Sequence, residues 1–374
     1  MNIDTLRQRL RAAGAKPAHE QRVLQLWAHA LPPDTGSRWL DNFLPLSLRA
    51  ALPALRAELA GLARLVSAHP GADGSARLLV ELADGQSVES VLLPRDGVCV
   101  STQVGCAVGC VFCMTGRGGL LRQLGSAEIV AQVALARAQR RVRKVVFMGM
   151  GEPAHNLDNV LEAIDLLGVE GGLGHKNLVF STVGDRRVFE RLPLGRVKPA
   201  LALSLHSTCA DRRAALLPRA ARIDPAELVE LAEGYARASG YPVQYQWTLL
   251  GGVNDGADEV DGLVRLLAGK YAVLNLIPYN TVDGLDCQRP SAEHAAAMAA
   301  TLLSRGVLTK LRQSAGQDVE GGCGQLRARA LGPAAAPSSD QVNQAGHASQ
   351  TTQVIRVFRK AAAGPAVAAA AALE

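Results

Sequence analysis

Three of the seven cysteines lie within eight residues, and this crowding is the strongest chemical signal in the sequence. Cys106, Cys110 and Cys113 form the pattern C-x3-C-x2-C. Iron–sulfur clusters are held by cysteine thiolates, normally four for a [4Fe–4S] cube. Three ligands from one loop would therefore leave one iron without a protein ligand.

An iron of this kind could chelate the amino and carboxylate groups of S-adenosylmethionine (SAM), beside a strong one-electron donor. Two simpler interpretations are a structural zinc site and a set of free thiols. A closed zinc site needs a fourth ligand, which usually comes from a second paired Cys or His element. No C-x2-C or H-x3-H pair follows the three cysteines. The spacing therefore favours a cluster over zinc.

Two other segments carry groups that could take part in chemistry. Gly151 and Glu152 follow an apolar run, where a Gly-Glu-Pro turn is expected. The glycine would let the backbone approach a ligand, and the glutamate would offer a carboxylate to an ammonium group. A plain turn with a surface acid would have the same sequence. Cys323 lies among glycines, so it is either a small buried side chain or a thiol presented by a mobile loop.

The composition is that of a globular protein: 374 residues, 48% hydrophobic and 20% charged, with a net charge of +6. A basic surplus favours a polyanionic partner such as RNA, because neutralised phosphates release their counterions. The sequence shows neither a signal peptide nor an apolar run long enough to span a bilayer. We therefore expect a cytoplasmic protein whose cysteines are reduced thiols rather than a disulfide framework.

Strands and helices alternate from Val98 onward, which predicts a parallel sheet. About six strand–helix units are too few for a closed eightfold barrel, so we predict an α/β fold with a partial (β/α)6 barrel over residues 76–328. Residues 1–75 are predicted to form a small helical accessory domain, including a helix from Leu46 to Leu65. Residues 329–374 are predicted to be a flexible tail whose end resembles vector-derived sequence. In such barrels the carboxyl ends of the strands carry the chemistry.

The predicted strands are 98–100, 144–148, 177–181, 199–205, 243–250, 273–277 and 308–311. The predicted helices are 126–139, 157–167, one beginning at the cap residue Asp224, and 291–304.

Five segments occur in a fixed order along the chain: Cys99-Val-Ser-Thr-Gln-Val-Gly-Cys106, Gly149-Met-Gly-Glu-Pro153, Ser204-Leu-His206, Leu276-Ile-Pro-Tyr-Asn280 and Gly322-Cys-Gly-Gln-Leu326. This set resembles the RlmN/Cfr radical SAM methyltransferases over roughly residues 76–328. Each motif alone is a weak signal, whereas the ordered set is highly specific. The resemblance implies a radical-SAM barrel, a [4Fe–4S] cluster and SAM as cofactors.

The resemblance also implies roles for individual residues. Cys106, Cys110 and Cys113 would be the metal ligands. Cys323 would be methylated by a first SAM and carry the group to the substrate, and Cys99 would release the product by forming a disulfide. Glu89 would remove the ring proton, although it could equally be one ordinary acid on a strand. The implied SAM contacts are Gly151, Glu152, Ser181, Ser204, Leu205, His206 and Asn280.

The activity expected from this resemblance is methylation of carbon 2 of an adenosine in 23S ribosomal RNA, with tRNA as a second target. The alternatives are methylation of carbon 8, a divergent paralogue with another substrate, and a zinc-stabilised RNA-binding protein without catalysis. The expected partners are RNA and an electron donor such as flavodoxin, for a monomer that does not bind membranes. Arg117 and Arg122 flank the three cysteines and are well placed to meet RNA.

Overall fold

The computed structural model describes residues 1–32, 35, 43–282 and 284–328, so the predicted tail lies outside the described residues. The strands are β1 Ala63–Pro70, β2 Ala76–Leu82, β3 Ser87–Leu93, β4 Gly97–Cys99, β5 Gln103–Gly105, β6 Leu120–Gln123, β7 Lys144–Phe147, β8 Leu178–Thr182, β9 Ala200–Ser204, β10 Val243–Leu249, β11 Ala272–Pro278 and β12 Thr309–Leu311. The α-helices are α1 Ile3–Ala12, α2 Pro17–Ala28, α3 Leu46–Gly61, α4 Ser126–Gln139, α5 Leu157–Val169, α6 Arg186–Arg191, α7 Ala210–Leu216, α8 Pro225–Ser239, α9 Ala257–Leu267 and α10 Ala292–Ser304.

Ten of these strands form one sheet in the order β1-β2-β3-β4-β7-β8-β9-β10-β11-β12. The strands from β4 through β7 to β12 pair in parallel, whereas β1 to β4 pair antiparallel. β1 and β12 are the two edges, so the sheet is open. The prediction of an α/β fold with a partial barrel is confirmed. β5 and β6 form a separate antiparallel hairpin around the cysteine loop, which was not predicted.

Local sequence signals explain why the barrel elements begin and end where they do. α8 starts after Asp224, whose side chain accepts a hydrogen bond from the N–H of Ala226 at 2.8 Å, and Pro225 occupies the first helical position. Gly240 ends the helix in the left-handed conformation, with φ of 76°. β7 is buried on both faces, in agreement with its near-continuous apolar run, whereas β10 alternates between buried and half-buried residues.

The N-terminal segment differs from its prediction. The predicted helix from Leu46 to Leu65 ends at Gly61, and residues 63–70 form strand β1 instead. β1 pairs along its length with β2, and this ladder outweighs the helix propensity of the Ala, Arg and Leu residues. Helices α1 to α3 share one hydrophobic core with the barrel. The predicted boundary at residue 75 falls in the turn between β1 and β2, and the division into domains stays a prediction.

Within the part of the chain that the structure describes, no helix is both long and apolar enough to cross a bilayer.

Candidate active site

The loop that carries Cys106, Cys110 and Cys113, residues 106–119, follows strand β5 at the carboxyl end of the barrel and is called here the cluster loop. Its first turn is fixed by a hydrogen bond from the Cys106 N–H to the Gly119 carbonyl oxygen at 2.9 Å. Gly105 has a φ of +79°, and a Cβ there would lie 2.0 Å from that same oxygen. Only glycine fits this close approach.

The three thiols stand against one apolar enclosure, walled by Val108 and Phe112. Burial raises the pKa of Cys106 to about 12 and that of Cys110 well above its usual range. The neighbouring Cys113 and Cys106 thiols raise the pKa of Cys110 further, so the three groups face one another. Thiolates in such a place need a positive ion to offset their charge.

Three thiols on one loop are a donor set that iron–sulfur clusters use. Among the described residues, no three His, Cys, Asp or Glu side chains are close enough together to hold one metal ion.

Glu152 lies beside the thiols and is buried, with its side chain spanning the ends of β7 and β8. Its two carboxylate oxygens accept hydrogen bonds from the N–H groups of Ala154 and Val183, both at 3.1 Å. Burial raises the pKa of Glu152 to about 7, and its charge in turn raises the pKa values of Cys106 and Cys110. Among the described residues no cation forms an ion pair with this buried carboxylate, which suits an ammonium group of a ligand.

Gly151 lets the chain pass close to Gln103. A Cβ at Gly151 would lie 2.5 Å from the Cβ of Gln103, and the φ of Gly151 is +100°. The Gln103 side-chain oxygen accepts a hydrogen bond from the Glu152 N–H at 2.7 Å. Gln103 thus fixes the predicted turn, a role that sequence analysis missed.

His206 lies at the end of β9 in a left-handed conformation, with φ of 59°, which costs energy for a non-glycine residue. Its Nδ1 accepts a hydrogen bond from the Thr248 N–H at 3.0 Å, and its ring packs edge-on against Phe112 with the centroids 4.9 Å apart. Burial, and then the charge of Arg213, lower the pKa of His206 to about 3. The neutral ring therefore carries its proton on Nε2.

The remaining predicted SAM contacts lie at adjoining strand ends. Ser181 and Ser204 are half-buried on the parallel neighbours β8 and β9, and Leu205 is fully buried. The parallel order places them at the same edge of the sheet as Glu152.

Asn280 joins this edge to the segment that carries Cys323, residues 314–328, called here the Cys323 segment. The Asn280 Nδ2 donates to the carbonyl oxygen of Cys323 and to the Ser314 hydroxyl, both at 2.9 Å. The Asn280 Oδ1 is buried and, within the described structure, has no hydrogen-bond partner. An acceptor left in this state fits a polar ligand that brings its own donor.

The Cys323 segment is also tied to the cluster loop. The Met114 N–H donates to the Gly324 carbonyl oxygen at 2.8 Å, and the Thr115 hydroxyl donates to the Leu326 carbonyl oxygen at 2.7 Å. The Cys323 side chain is solvent-accessible, yet the surrounding protein atoms and then the Cys113 thiol raise its pKa.

Cys99 ends strand β4 and is buried. Burial raises the pKa of the Cys99 thiol, and the next cause is the electrostatic effect of Cys323. The two thiols predicted to react with each other thus lie within electrostatic range.

The cluster loop and the strand ends match known proteins. A family model described as the radical SAM superfamily matches residues 100–267. A protein of Leptothrix cholodnii named a probable RNA methyltransferase is 76% identical over 335 residues, which cover 90% of this chain and 96% of that protein. A probable RNA methyltransferase of Aromatoleum aromaticum is 74% identical over 347 residues, covering 91% and 98% of the two chains.

A solved structure agrees with these relatives. The crystal structure of a radical SAM methyltransferase from Sphaerobacter thermophilus superposes with a TM-score of 0.75 at 33% identity, covering 88% of this chain and 98% of that one. This chain belongs to the radical SAM methyltransferases. The predicted family and the prediction of an enzyme are confirmed, and the zinc-stabilised protein without catalysis is not supported. Membership of the superfamily implies SAM and an iron–sulfur cluster as cofactors.

Glu89 occupies an enclosed position in this radical SAM methyltransferase. It is fully buried on β3, where one carboxylate oxygen pairs with Arg77, which is also fully buried. The other oxygen accepts the N–H of Arg327 from the Cys323 segment at 2.9 Å. Burial raises the pKa of Glu89, and Arg77 opposes this effect. Both oxygens of the predicted base are therefore engaged.

The turn between β1 and β2 contacts the same segment. The Ala72 N–H donates to an Asp318 carboxylate oxygen at 2.8 Å, and the Gly316 N–H donates to an Asp73 carboxylate oxygen at 3.1 Å. Together with Glu89, these bonds attach the N-terminal strands to residues on both sides of Cys323.

Arg213 on α7 is a site residue that sequence analysis missed. Its guanidinium is buried and donates to the carbonyl oxygens of Val183 and of Ser204, the latter at 3.3 Å. Burial lowers its pKa to about 10, while the charges of Cys110 and Glu152 act in the opposite direction. A buried cation facing thiols and a carboxylate is placed to offset the negative charge of a bound cofactor.

Proposed function

We propose that this enzyme transfers a methyl group from SAM to carbon 2 of an adenosine in 23S ribosomal RNA, with tRNA as a second target. The observation that carries the proposal is the position of Cys323, tied by hydrogen bonds to the cluster loop and within electrostatic range of Cys99. The names of the relatives, probable RNA methyltransferases, support RNA as the substrate class.

The cluster and SAM would be held by the groups described above. Cys106, Cys110 and Cys113 would bind three irons of a [4Fe–4S] cluster, which supplies the single electron that cleaves SAM. The Glu152 carboxylate would accept hydrogen bonds from the SAM ammonium group, and the free Oδ1 of Asn280 would accept a hydrogen bond from another donor of SAM. Gly151, Ser181, Ser204, Leu205 and His206 would line the remainder of the SAM pocket.

The chain itself supplies the group that carries the methyl. Adenine ring carbons are electrophilic and offer no nucleophile to a sulfonium methyl group, whereas the Cys323 sulfur can attack it, losing its thiol proton and becoming a thioether. Joining the carbon on this sulfur to carbon 2 of adenine would break one C–H bond of the methyl group and the ring C–H bond. The radical that SAM cleavage supplies would take the methyl hydrogen atom, a base would take the ring proton, and the remaining electron would return to the cluster. Cys99, as a thiolate, then attacks the Cys323 sulfur and forms a disulfide. The electron pair of the broken carbon–sulfur bond stays with the carbon on adenine, which takes up a proton and becomes the methyl group of the product.

Glu89 would remove the ring proton in this scheme. Because one of its oxygens accepts the Arg327 N–H, the carboxylate becomes available only when the Cys323 segment moves. An adenosine must also leave its stack to reach the site, so the target is expected in a loop or single strand. A flavodoxin-like electron donor and a monomeric state remain predictions.

The test uses anaerobically reconstituted protein with SAM, a reductant and a 23S ribosomal RNA fragment, and resolves methyladenosines by mass spectrometry. We expect 2-methyladenosine from the wild type and from Cys209→Ala, whose exposed thiol matches no motif. We expect no product from Cys323→Ala. Cys99→Ala should accumulate protein bound covalently to RNA, because the releasing thiol is missing.

The other outcomes are equally informative. An 8-methyladenosine product would replace the proposed regiochemistry. SAM cleavage without any RNA product would reject this substrate and point to a divergent paralogue. Undiminished product from Cys323→Ala would refute the mechanism.

A further inference from the structure

Several arginines on the outer elements of this protein pair with carboxylates. Arg64 on β1 pairs with Glu81 at 2.6 Å, and Arg191 at the end of α6 pairs with Asp158 at 2.9 Å. Arg305 after α10 pairs with Asp261 at 2.5 Å. In each pair the carboxylate offsets the charge of the arginine.

Three arginines around the cluster loop differ, and they are called here the rim arginines: Arg117, Arg219 and Arg289. Each is held by backbone oxygens. Arg117 donates to the Gly284 carbonyl at 2.5 Å, and Arg219 donates to the Ala107 carbonyl at 3.3 Å. No carboxylate among the described residues forms an ion pair with any of the three.

Arg289, the third rim arginine, is also held by neutral oxygen acceptors. It donates to the Tyr279 carbonyl oxygen at 3.3 Å and to the Gln313 side-chain oxygen at 2.7 Å. Neutral acceptors orient a guanidinium without cancelling its charge, which leaves it able to bind an anion. Asp286 lies on the same loop as Arg289, so the net charge here is smaller than the arginines alone would give.

The rim arginines lie on three segments that enclose the reactive thiols. Arg117 belongs to the cluster loop, three residues after Met114, which binds the Gly324 carbonyl. The Arg219 N–H donates to the Val108 carbonyl at 3.2 Å, on the other flank of that loop. Arg289 contacts Gln313, next to Ser314 of the Cys323 segment.

Arg122, the other arginine expected to meet RNA, does not share this property. Its guanidinium pairs with Asp84 at 2.6 Å and with Glu128 at 2.8 Å. These two carboxylates neutralise it and raise its pKa.

We propose that the rim arginines form the phosphate-binding surface for the RNA substrate, holding the backbone on either side of the adenosine that enters the site. The inference rests on the proposed RNA substrate. Guanidinium groups match phosphate geometry, and three cations around one opening would fix the strand while leaving its bases free to turn inward.

The experiment measures the affinity of the reconstituted holoenzyme for a fluorescently labelled 23S ribosomal RNA fragment across a range of KCl concentrations. Each Arg→Gln change at the rim should weaken binding and make the slope of log K against log salt shallower by about 0.7 per lost contact. Arg→Lys changes should retain most of the slope, because lysine still binds phosphate. Arg64→Gln, Arg191→Gln and Arg305→Gln are the matched controls, and they should bind as the wild type does.

A second measurement separates the rim from the chemistry. Methylation of Cys323 by SAM in the absence of RNA, followed by mass spectrometry of the protein, should be unchanged in the rim variants. If the wild type binds the RNA but rim and control variants keep the same slope, the rim proposal is wrong and the proposed function stands. If binding depends on the rim while Cys323 is never methylated, the rim proposal stands and the proposed mechanism fails. A wild type that does not bind the RNA overturns both.

Discussion

Replacing Glu152 with glutamine should change stability and ligand binding in opposite directions. The Glu152 side chain is buried, and its pKa is raised from 4.5 to about 7. The folded protein therefore binds this proton more tightly than the unfolded chain does. The stabilising contribution is complete below pH 4.5 and is lost as the pH rises through about 7.

The size of the effect follows from the two pKa values. Between pH 5 and pH 7.5 the wild type should lose about 2 kcal/mol of unfolding free energy through this one group. Glu152→Gln has no such proton to lose, so its stability relative to the wild type should rise by that amount over the same interval. The thiols with raised pKa values keep their protons throughout this range.

Urea unfolding of the cluster-free protein, followed by circular dichroism at several pH values, measures the difference. Glu190→Gln is the control, because Glu190 is exposed on the same protein and its replacement should leave the pH profile unchanged. If the unfolding free energies of Glu152→Gln and the wild type stay a constant distance apart from pH 5 to pH 7.5, the burial argument is refuted.

Binding should move the other way. A hydrogen bond to a charged group contributes about 1.5–3 kcal/mol, so SAM should bind the Glu152→Gln holoenzyme about 10- to 150-fold more weakly. Isothermal titration of SAM into the reconstituted protein gives this number directly, and an unchanged affinity would remove Glu152 from the SAM site.

Three further changes test the other contacts of the site. Asn280→Ala removes two hydrogen bonds of 2.9 Å that hold the Cys323 segment. Alkylation of Cys323 by iodoacetamide, followed by mass spectrometry, should therefore become several-fold faster. An equal rate in a folded variant would contradict this role. Glu89→Gln leaves the buried Arg77 without its carboxylate and should cost about 3–5 kcal/mol of unfolding free energy. The double variant Glu89→Leu with Arg77→Met should recover much of the loss. A double variant as unstable as the single one would show that the pair is not the cause. Arg213→Gln removes the buried cation facing Cys110 and should lower the midpoint potential of the reconstituted cluster. A tenfold change in the one-electron equilibrium corresponds to about 59 mV. Arg213→Lys should stay closer to the wild type, and equal potentials would refute the charge argument.

The sequence predicted the parts of the site that are local along the chain. Cys106, Cys110 and Cys113 share one loop, and the strand-end motifs lie at the same edge because parallel strands place their carboxyl ends together. The barrel strands were found within one or two residues because their apolar runs are bounded by caps and glycines.

The contacts that were missed depend on packing between distant segments. Arg212 and Arg213 are neighbours of the same type, yet Arg212 pairs with Glu259 and Asp258 of α9 while Arg213 is buried beside the thiols. The two arginines differ only in which face of α7 each one occupies, and the amino-acid composition does not indicate that face. Strand β1 was missed for a similar reason, because its pairing with β2 is what overrides its helical composition.

The attachment of the Cys323 segment to the N-terminal strands has a consequence for protein engineering and for divergence between homologues. Asp73, Glu89 and the Ala72 backbone make bonds to Gly316, Arg327 and Asp318, across more than 230 positions of sequence. If the N-terminal portion came from a relative, its side chains would not match the Cys323 segment of this chain, and these hydrogen bonds would be lost. Chimeras of this enzyme should therefore exchange residues 63–93 and 314–328 together, and substitutions in one of these stretches should be tolerated best when the other changes with it.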